Sequence, residues 1–184
     1  MNEDSSPKKN FESDHCGTPK PTARRRFQLV LNNLTCNILS PLVKRFDCDF
    51  KKFATSRYAL DANFLLRRDF NQNAEIHALI YFTPAKAKRA VKFMDLKLNI
   101  CNMLTTAMSM PLARIILDES RRTSNLPYEC PVRGDLLYTF NNYSISAETL
   151  PPYFPLMTLN FSLFTYDNQE LIAEFLLEGT TLLR

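Results

Sequence analysis

MDLKLNIC, residues 94–101, and CPVRGDLLYTFNNYS, residues 130–144, enclose the stretch of sequence that decides the fold. Apolar and polar residues alternate in the first segment, which is the pattern of a half-buried β-strand. After Cys101 the apolar residues recur every three or four positions, which is typical of a helix with one apolar face. This apolar stripe consists of Leu104, Met108, Leu112, Ile115 and Ile116. Pro111 interrupts the stripe, so we expect a short turn, a break and a main helix that begins at Pro111.

Outside this stretch the chain alternates with a period of two in several further segments. We predict eight strand candidates, which lie near Phe27, Phe46, Tyr58, Ile76, Val91, Leu136, Met157 and Leu171. In the sixth candidate, Phe140 and Tyr143 are out of phase, and a β-bulge at Asn141-Asn142 would bring both onto one face. Seven or eight antiparallel strands with one inserted helix near 104–122 predict an all-β, two-layer sandwich in a single domain of residues 27–184.

The composition excludes several classes of protein. Residues 1–26 are polar and rich in Pro, Ser, Lys and Asp, so we interpret them as a disordered tail. The net charge of +4 is divided evenly between this tail and the remainder, which argues against a nucleic-acid surface on the folded part. Three glycines form no phosphate-binding motif, and no apolar run is long enough to span a membrane.

The sequence offers little for catalysis. His15 lies in the tail, and His77 falls on the polar face of its strand. Asp47 and Asp49 flank Cys48 and allow a paired-carboxylate interpretation, although a solvated strand face is the simpler one. With no CxxC pair and only two histidines, we predict no metal site, no cofactor and no enzymatic activity.

The sequence contains five cysteines and three glycosylation sequons. Cys16 lies in the tail, so four cysteines belong to the fold, and four cysteines allow three pairings. Pairing of Cys36 with Cys48 would close a short loop, pairing of Cys101 with Cys130 would tie the ends of the helix, and four free buried thiols are the alternative. The candidate glycosylation sites are Asn33, Asn142 and Asn160, of which the last two fall on polar strand faces.

Three segments together resemble a large insect family of small secreted proteins classed as a domain of unknown function. They are NNLTCNILSPLVKRFDCDFKKF, then LKLNIC followed by NLPYECPVRGDLLYTFNNYSI, and finally PPYFPLMTLNFSLFTYDNQELIAEFLLEG. The resemblance covers about residues 27–182. It implies an immunoglobulin-like sandwich of the ML type, the lipid-recognition fold related to the myeloid-differentiation protein, and some members resemble chemosensory proteins linked to pheromone response. Family members carry a signal peptide where this sequence has its polar tail, so the expected extracellular location rests on the resemblance.

The resemblance also implies a function. We expect a non-enzymatic, secreted binder of a small hydrophobic ligand such as a lipid, hydrocarbon or pheromone-like molecule, with an extracellular receptor as a further partner. The expected lining residues are Phe64, Phe82, Met94, Phe140, Phe161 and Phe175. The alternatives are a dry, fully packed core, and a cytosolic or surface-associated interaction module without a cavity.

Cys36, Cys48, Cys101 and Cys130 match the family's cysteines, so the resemblance favours disulfides. We predict that Cys36 pairs with Cys48 and Cys101 with Cys130, which leaves Cys16 free. The helix between the second pair is expected to lie against one edge of the sandwich.

Overall fold

The computed structural model describes residues 26–105 and 111–184, without the side chains of residues 111–113. The predicted tail, with Cys16, lies outside these ranges except for Arg26, as do Met108 and Met110. The described residues form eight strands, two α-helices and one short 3-10 helix. The strands are β1 (Phe27–Ile38), β2 (Val43–Ala54), β3 (Arg57–Leu66), β4 (Glu75–Pro84), β5 (Val91–Asn99), β6 (Leu137–Ser146), β7 (Met157–Asp167) and β8 (Glu170–Leu183). The helices are α1 (Ile100–Thr105) and α2 (Pro111–Thr123), and the 3-10 helix is Ala147–Thr149.

The strands form two antiparallel sheets, which confirms the predicted all-β sandwich. One sheet has the strand order β1-β8-β7-β4-β5 and the other has the order β2-β3-β6. Alternation sets the faces of each strand: in β3 the side chains of Tyr58, Leu60, Ala62 and Leu66 are buried, and the residues between them are not. Each sheet therefore turns one of its two faces toward a common interior between the sheets.

The predicted β-bulge in β6 is present. Phe140 pairs with Ala62 and Tyr143 pairs with Leu60, so two residues of β6 oppose a single residue of β3. Asn142 has a φ of 57°, a left-handed conformation that asparagine tolerates better than most residues. Because of this insertion, Tyr138, Phe140, Tyr143 and Ile145 all share the inward face.

The helical prediction is confirmed in outline and wrong in one detail. The segment contains two helices separated by residues 106–110, and the second begins at Pro111 as predicted. Ile115, which belongs to the predicted apolar stripe, is 50% exposed, whereas Leu117 is only 7% exposed. The predicted apolar stripe continues from Leu104 across the break into the second helix. Two helices separated by a break do not share one helical phase, so the stripe does not give the buried face of α2.

Many of the buried residues belong to two clusters, which lie at opposite ends of the sandwich. The first cluster consists of Val43, Leu66, Ala74, Ile100, Leu104, Val132, Tyr138, Ile172 and Ala173. The second cluster consists of Phe27, Leu29 and Ala147, with Ile145, Leu150, Phe154 and Leu156 packed against them. Buried side chains therefore close the interior at both of its ends.

Polar contacts fasten the loops around the first cluster. The carboxylate of Asp167 is buried and accepts hydrogen bonds from Arg68 Nη2 at 2.7 Å, Asn71 N at 2.9 Å and Asn71 Nδ2 at 2.8 Å. Nearby, the backbone N–H of Gly134 donates to Asp69 Oδ1 at 2.7 Å. A Cβ at Gly134 would lie 2.3 Å from the backbone carbon of Arg68, so only glycine fits this approach.

We expect Gly134→Ala to destabilise the fold by about 3 kcal/mol, because two backbone segments must separate to admit one methyl group. Gly179→Ala is the matched control, since its added Cβ meets its nearest atoms at 3.4 Å, an ordinary contact. Urea unfolding of both variants measures the difference. Equal stability of the two variants would contradict the close approach at Gly134.

Candidate ligand-binding site

The two sheets are joined along one margin of the sandwich. Contacts between the sheets are concentrated where β1 meets β2, with fewer between β2 and β8. The predicted Cys36–Cys48 disulfide crosses from β1 to β2 at this margin, with a Cα–Cα distance of 5.9 Å. From the strand orders, β5 and β6 lie at the opposite margin, where strands of the two sheets make few direct contacts; we call this side the open margin.

Between the two buried clusters, the inward faces of the strands are buried unevenly: Leu60, Ala62 and Ala78 are buried, whereas several larger side chains near them are only half-buried. The register pairs Phe161 with Ile80 and Leu177, and pairs Phe175 with Leu163, so these side chains share the inward face of the large sheet. The half-buried inward residues of this region are Ile80, Phe82, Phe140, Leu159, Phe161, Leu163, Phe175 and Leu177. Inner side chains of a closed sandwich interdigitate and lose nearly all their exposure. The middle of this sandwich is therefore lined by apolar side chains, several of which retain some exposure.

The six predicted lining residues all occupy inward positions, but they do not form one group. Phe82, Phe140, Phe161 and Phe175 lie in the half-buried region, where the rings of Phe161 and Phe175 pack edge to face at 6.0 Å. Phe64 instead packs against the first cluster and contacts Phe46 at 5.3 Å between ring centroids. Met94 is buried in the inward face of β5.

Sequence reasoning left several inward residues of this region out of the predicted set. Ile80, Leu159, Leu163 and Leu177 have the same strand phase as the predicted phenylalanines. The alternation of apolar and polar residues in the sequence already places them on the inward face. The predicted set was restricted to the largest inward side chains, five phenylalanines and Met94.

The helical segment crosses the open margin of the sandwich. It runs from the end of β5 to the start of β6, and α2 lies along β6, as predicted for a helix at an edge. Ser144 N donates to the carboxylate of Glu119 at 3.1 Å, and Thr139 N donates to Asn125 Oδ1 at 2.7 Å. The predicted Cys101–Cys130 disulfide is present, with a Cα–Cα distance of 5.4 Å. It fastens both ends of the segment that covers the margin.

Arg121 connects the two helices beneath this cover. Its Nη2 donates to the carbonyl oxygen of Leu104 at 2.6 Å, and its guanidinium carbon lies 5.6 Å from the ring centroid of Tyr128. Its Nε is buried and has no hydrogen-bond partner among the described residues. A buried donor without a partner carries a desolvation cost, so Arg121 is retained here for the contacts of its other atoms.

Tyr143 lies on the inward face of β6, and its pKa is shifted by burial and by Glu119 of the helical segment. Burial raises the pKa of the Tyr143 phenol to about 12, and the negative charge of Glu119 acts in the same direction. Its hydroxyl therefore stays protonated at neutral pH and is a polar group on an otherwise apolar inward face.

The candidate acid–base residues lie on outer surfaces. His77 Nε2 is 2.7 Å from Asp95 Oδ1 in the neighbouring strand. Asp47 forms an ion pair with Arg45, and Asp49 accepts a hydrogen bond from Phe50 N at 2.8 Å. Among residues 26–105 and 111–184, no three His, Cys, Asp or Glu side chains are grouped so that they could hold a metal ion.

Two open clefts indent the surface of the described part of the chain. One, of about 460 Å³, is lined by residues that include Ser40, Arg67, Arg68, Asp167 and Glu170. The other, of about 440 Å³, is lined by Arg122, Thr123, Ser124, Asn125, Thr139, Asn141 and Asn142. Neither is lined by the inward phenylalanines. The half-buried apolar region remains our candidate site because it is the one built from the common interior of both sheets.

The chain was compared with known proteins. Residues 76–161 match the family described as "Protein of unknown function (DUF1091)". The match begins in β4, includes the Cys101–Cys130 disulfide and the whole helical segment, and ends within β7. It supports the resemblance to a domain of unknown function over this part of residues 27–182. No curated protein matches the chain.

In the described ranges, neither helix has the length and hydropathy that a bilayer-spanning helix requires.

We expect removal of Cys101–Cys130 by a double serine substitution to cost about 4 kcal/mol, and removal of Cys36–Cys48 to cost about 3 kcal/mol. The first bridge spans 29 residues and the second 12, so the first restricts the unfolded chain more. Urea unfolding of both double variants tests the order. A larger loss for the Cys36–Cys48 variant would show that joining the sheets matters more than loop length.

We expect stability to fall as the pH rises from 10 to about 12, with Tyr143 responsible for part of the fall. The folded state raises the pKa of this phenol, so the unfolded chain ionises first and is favoured; below pH 10 the contribution is constant. Each pKa unit corresponds to about 1.4 kcal/mol. Tyr143→Phe should flatten the pH dependence of urea unfolding, whereas Tyr153→Phe, at an exposed position, should not. Identical slopes would contradict the burial of Tyr143.

Proposed function

We propose that this protein is a non-enzymatic, secreted binder of one small hydrophobic ligand, a lipid or a hydrocarbon, held between its two sheets. The observation that carries the proposal is the half-buried apolar middle of the sandwich. Residues such as Phe161 and Phe175 point inward and yet retain exposure, although both ends of the interior are closed by buried clusters. Burial of this surface against an apolar ligand would gain about 25 cal/mol per Å².

The lining favours a ligand with a long apolar body and little polarity. The inward side chains of β4, β7 and β8 in this region are aliphatic or aromatic. The hydroxyl of Tyr143, on the inward face of β6 near the open margin, is a polar group that can orient one end of the ligand. Apolar walls with few polar contacts are the usual construction of a small-molecule site.

The two disulfides and the sequons support a secreted protein, because disulfides persist in oxidising compartments. Asn33 and Asn142 are exposed, and each lies at a strand irregularity. Asn160 is half-buried, and its register with Glu178 places it on the outer face of the large sheet. All three positions therefore lie away from the inward apolar region. We extend the proposal to an ML-type role in carrying chemical signals, as the family resemblance implies.

Native mass spectrometry of protein secreted from insect cells tests the proposal. We expect a co-purified apolar ligand or uptake of added fatty acids or hydrocarbons, together with mass increments from glycans at the sequons. Absence of both ligand and uptake would overturn the binder, and unmodified asparagines with reduced cysteines would favour an intracellular interaction module instead.

A pair of charge variants locates the ligand. Leu163→Asp places a carboxylate on the inward face and should abolish uptake, whereas Ser162→Asp places it on the outer face of the same strand and should leave uptake intact. Phe161→Ala serves as a second test if Leu163→Asp does not fold. By enlarging the site it should shift uptake toward longer chains, whereas in a fully packed core it would only reduce stability.

A further inference from the structure

One end of the sandwich is both basic and apolar. It is formed by residues 26–28, 52–57, 83–93, 147–157 and 181–184, which we call the basic end. Backbone pairing brings these segments together: Phe27 pairs with Leu183, Pro84 pairs with Met157, and Ala85 N donates to Leu156 O at 3.0 Å. The β2–β3 turn joins them through Ala147 N, which donates to Ser56 O at 3.0 Å.

The charge of the basic end is opposite to that of the rest of the described chain. Its eight cationic residues are Arg26, Lys52, Arg57, Lys86, Lys88, Arg89, Lys92 and Arg184, all of them exposed, and its one acidic residue is Glu148. The other described residues carry ten Lys or Arg against fourteen Asp or Glu. The net charge of the described chain is therefore small, although positive charge is concentrated at one end and negative charge predominates elsewhere.

Most of these cations have few acidic neighbours. Arg57 forms an ion pair with Glu148, and Lys92 forms one with Asp95. The segment 76–94, which contains the β4–β5 connection with Lys86, Lys88 and Arg89, has no acidic residue. The hairpin tip therefore presents a concentrated positive charge to its surroundings.

Exposed apolar side chains accompany the charge. Of the eleven strongly exposed large apolar residues in the described ranges, six lie at this end: Phe53, Val91, Phe93, Tyr153, Leu182 and Leu183. Phe53 is 61% exposed, Phe93 is 63% exposed and Tyr153 is 85% exposed. Phe53 and Phe93 are each the extra residue of a strand irregularity, in β2 and β5 respectively. Because β2 and β5 belong to different sheets and the loop of Tyr153 joins β6 to β7, the apolar side chains are distributed across the end.

We propose that the basic end docks on the surface of an anionic phospholipid bilayer. Lysine and arginine side chains near such a surface each contribute about fivefold in binding, and exposed aromatic and aliphatic side chains enter the interfacial layer. Duplex nucleic acid would use the cations but leaves Phe53, Phe93 and Leu183 without a role. The exposed side chains of the basic end lie on the outer surface of the sandwich, and Phe93, which packs edge to face on Phe82 at 6.2 Å, is where this surface meets the inward apolar region.

Fluorescence of tryptophan variants tests the contact directly, since the chain has no tryptophan of its own. Tyr153→Trp places the reporter at the basic end, and Tyr128→Trp places it at a comparably exposed position outside that end. With phosphatidylcholine–phosphatidylserine vesicles at about 0.15 M salt, emission of the first variant should shift to shorter wavelength, and emission of the second should not. No shift in either variant, or an equal shift in both, would overturn the proposal.

Charge variants separate the bilayer from other polyanions. In vesicle co-sedimentation, Lys86→Glu with Lys88→Glu should weaken binding roughly 25-fold or more. Arg114→Glu with Arg133→Glu makes the same charge change outside the basic end and should have little effect. Phe53→Ser with Phe93→Ser should weaken binding to vesicles while leaving binding to duplex DNA unchanged. If the serine variant binds vesicles as the wild type does, or DNA binds the wild type more tightly than vesicles do, the surface is a general polyanion site and the proposal fails.

Discussion

The junction between β1 and β2 is the constraint on which the rest of the structure depends. It brings the two sheets together along one margin, and the Cys36–Cys48 disulfide makes the connection covalent. Since the strand orders place β5 and β6 at the far margin, the sheets can separate there without breaking a strand pairing. The helical segment between these two strands crosses that margin, and Cys101–Cys130 limits how far the segment can move. A sandwich joined at one side and covered at the other can hold a space that a symmetrically packed sandwich would fill.

Much of the architecture could be predicted from the sequence, because alternation reports directly on strand faces. The eight strands, the bulge at Asn141-Asn142 and the helix start at Pro111 each follow from a local pattern or a local steric rule. The helical stripe failed where the pattern crossed a break, so that Ile115 rather than Leu117 was expected to be buried. Helical phase is a property of one continuous helix, so positions before the break do not predict the buried face of the helix that begins at Pro111.

The candidate site was harder to predict, since its character depends on the distance between sheets. Phe64 and Phe161 are both inward and half-buried, yet Phe64 packs against the first buried cluster and Phe161 lies between the two clusters. The difference arises from where each lies along the sandwich, which long-range pairing determines. The polarisation of charge was missed for a similar reason: residues as distant as Lys52, Lys88 and Arg184 are brought to one end only by the topology.

The strand irregularities also bear on self-association. Each of the four edge strands has at least one extra residue: Asn32 in β1, Lys44 and Phe53 in β2, Phe93 in β5, and Asn141-Asn142 in β6. A flat edge offers a row of unpaired backbone groups to which a strand of another molecule can add, and a bulge interrupts that row and twists it. The insertions that orient side chains within one molecule thus make its edge strands poor templates for edge-to-edge pairing with another molecule. This protects a chain rich in strands from fibril growth.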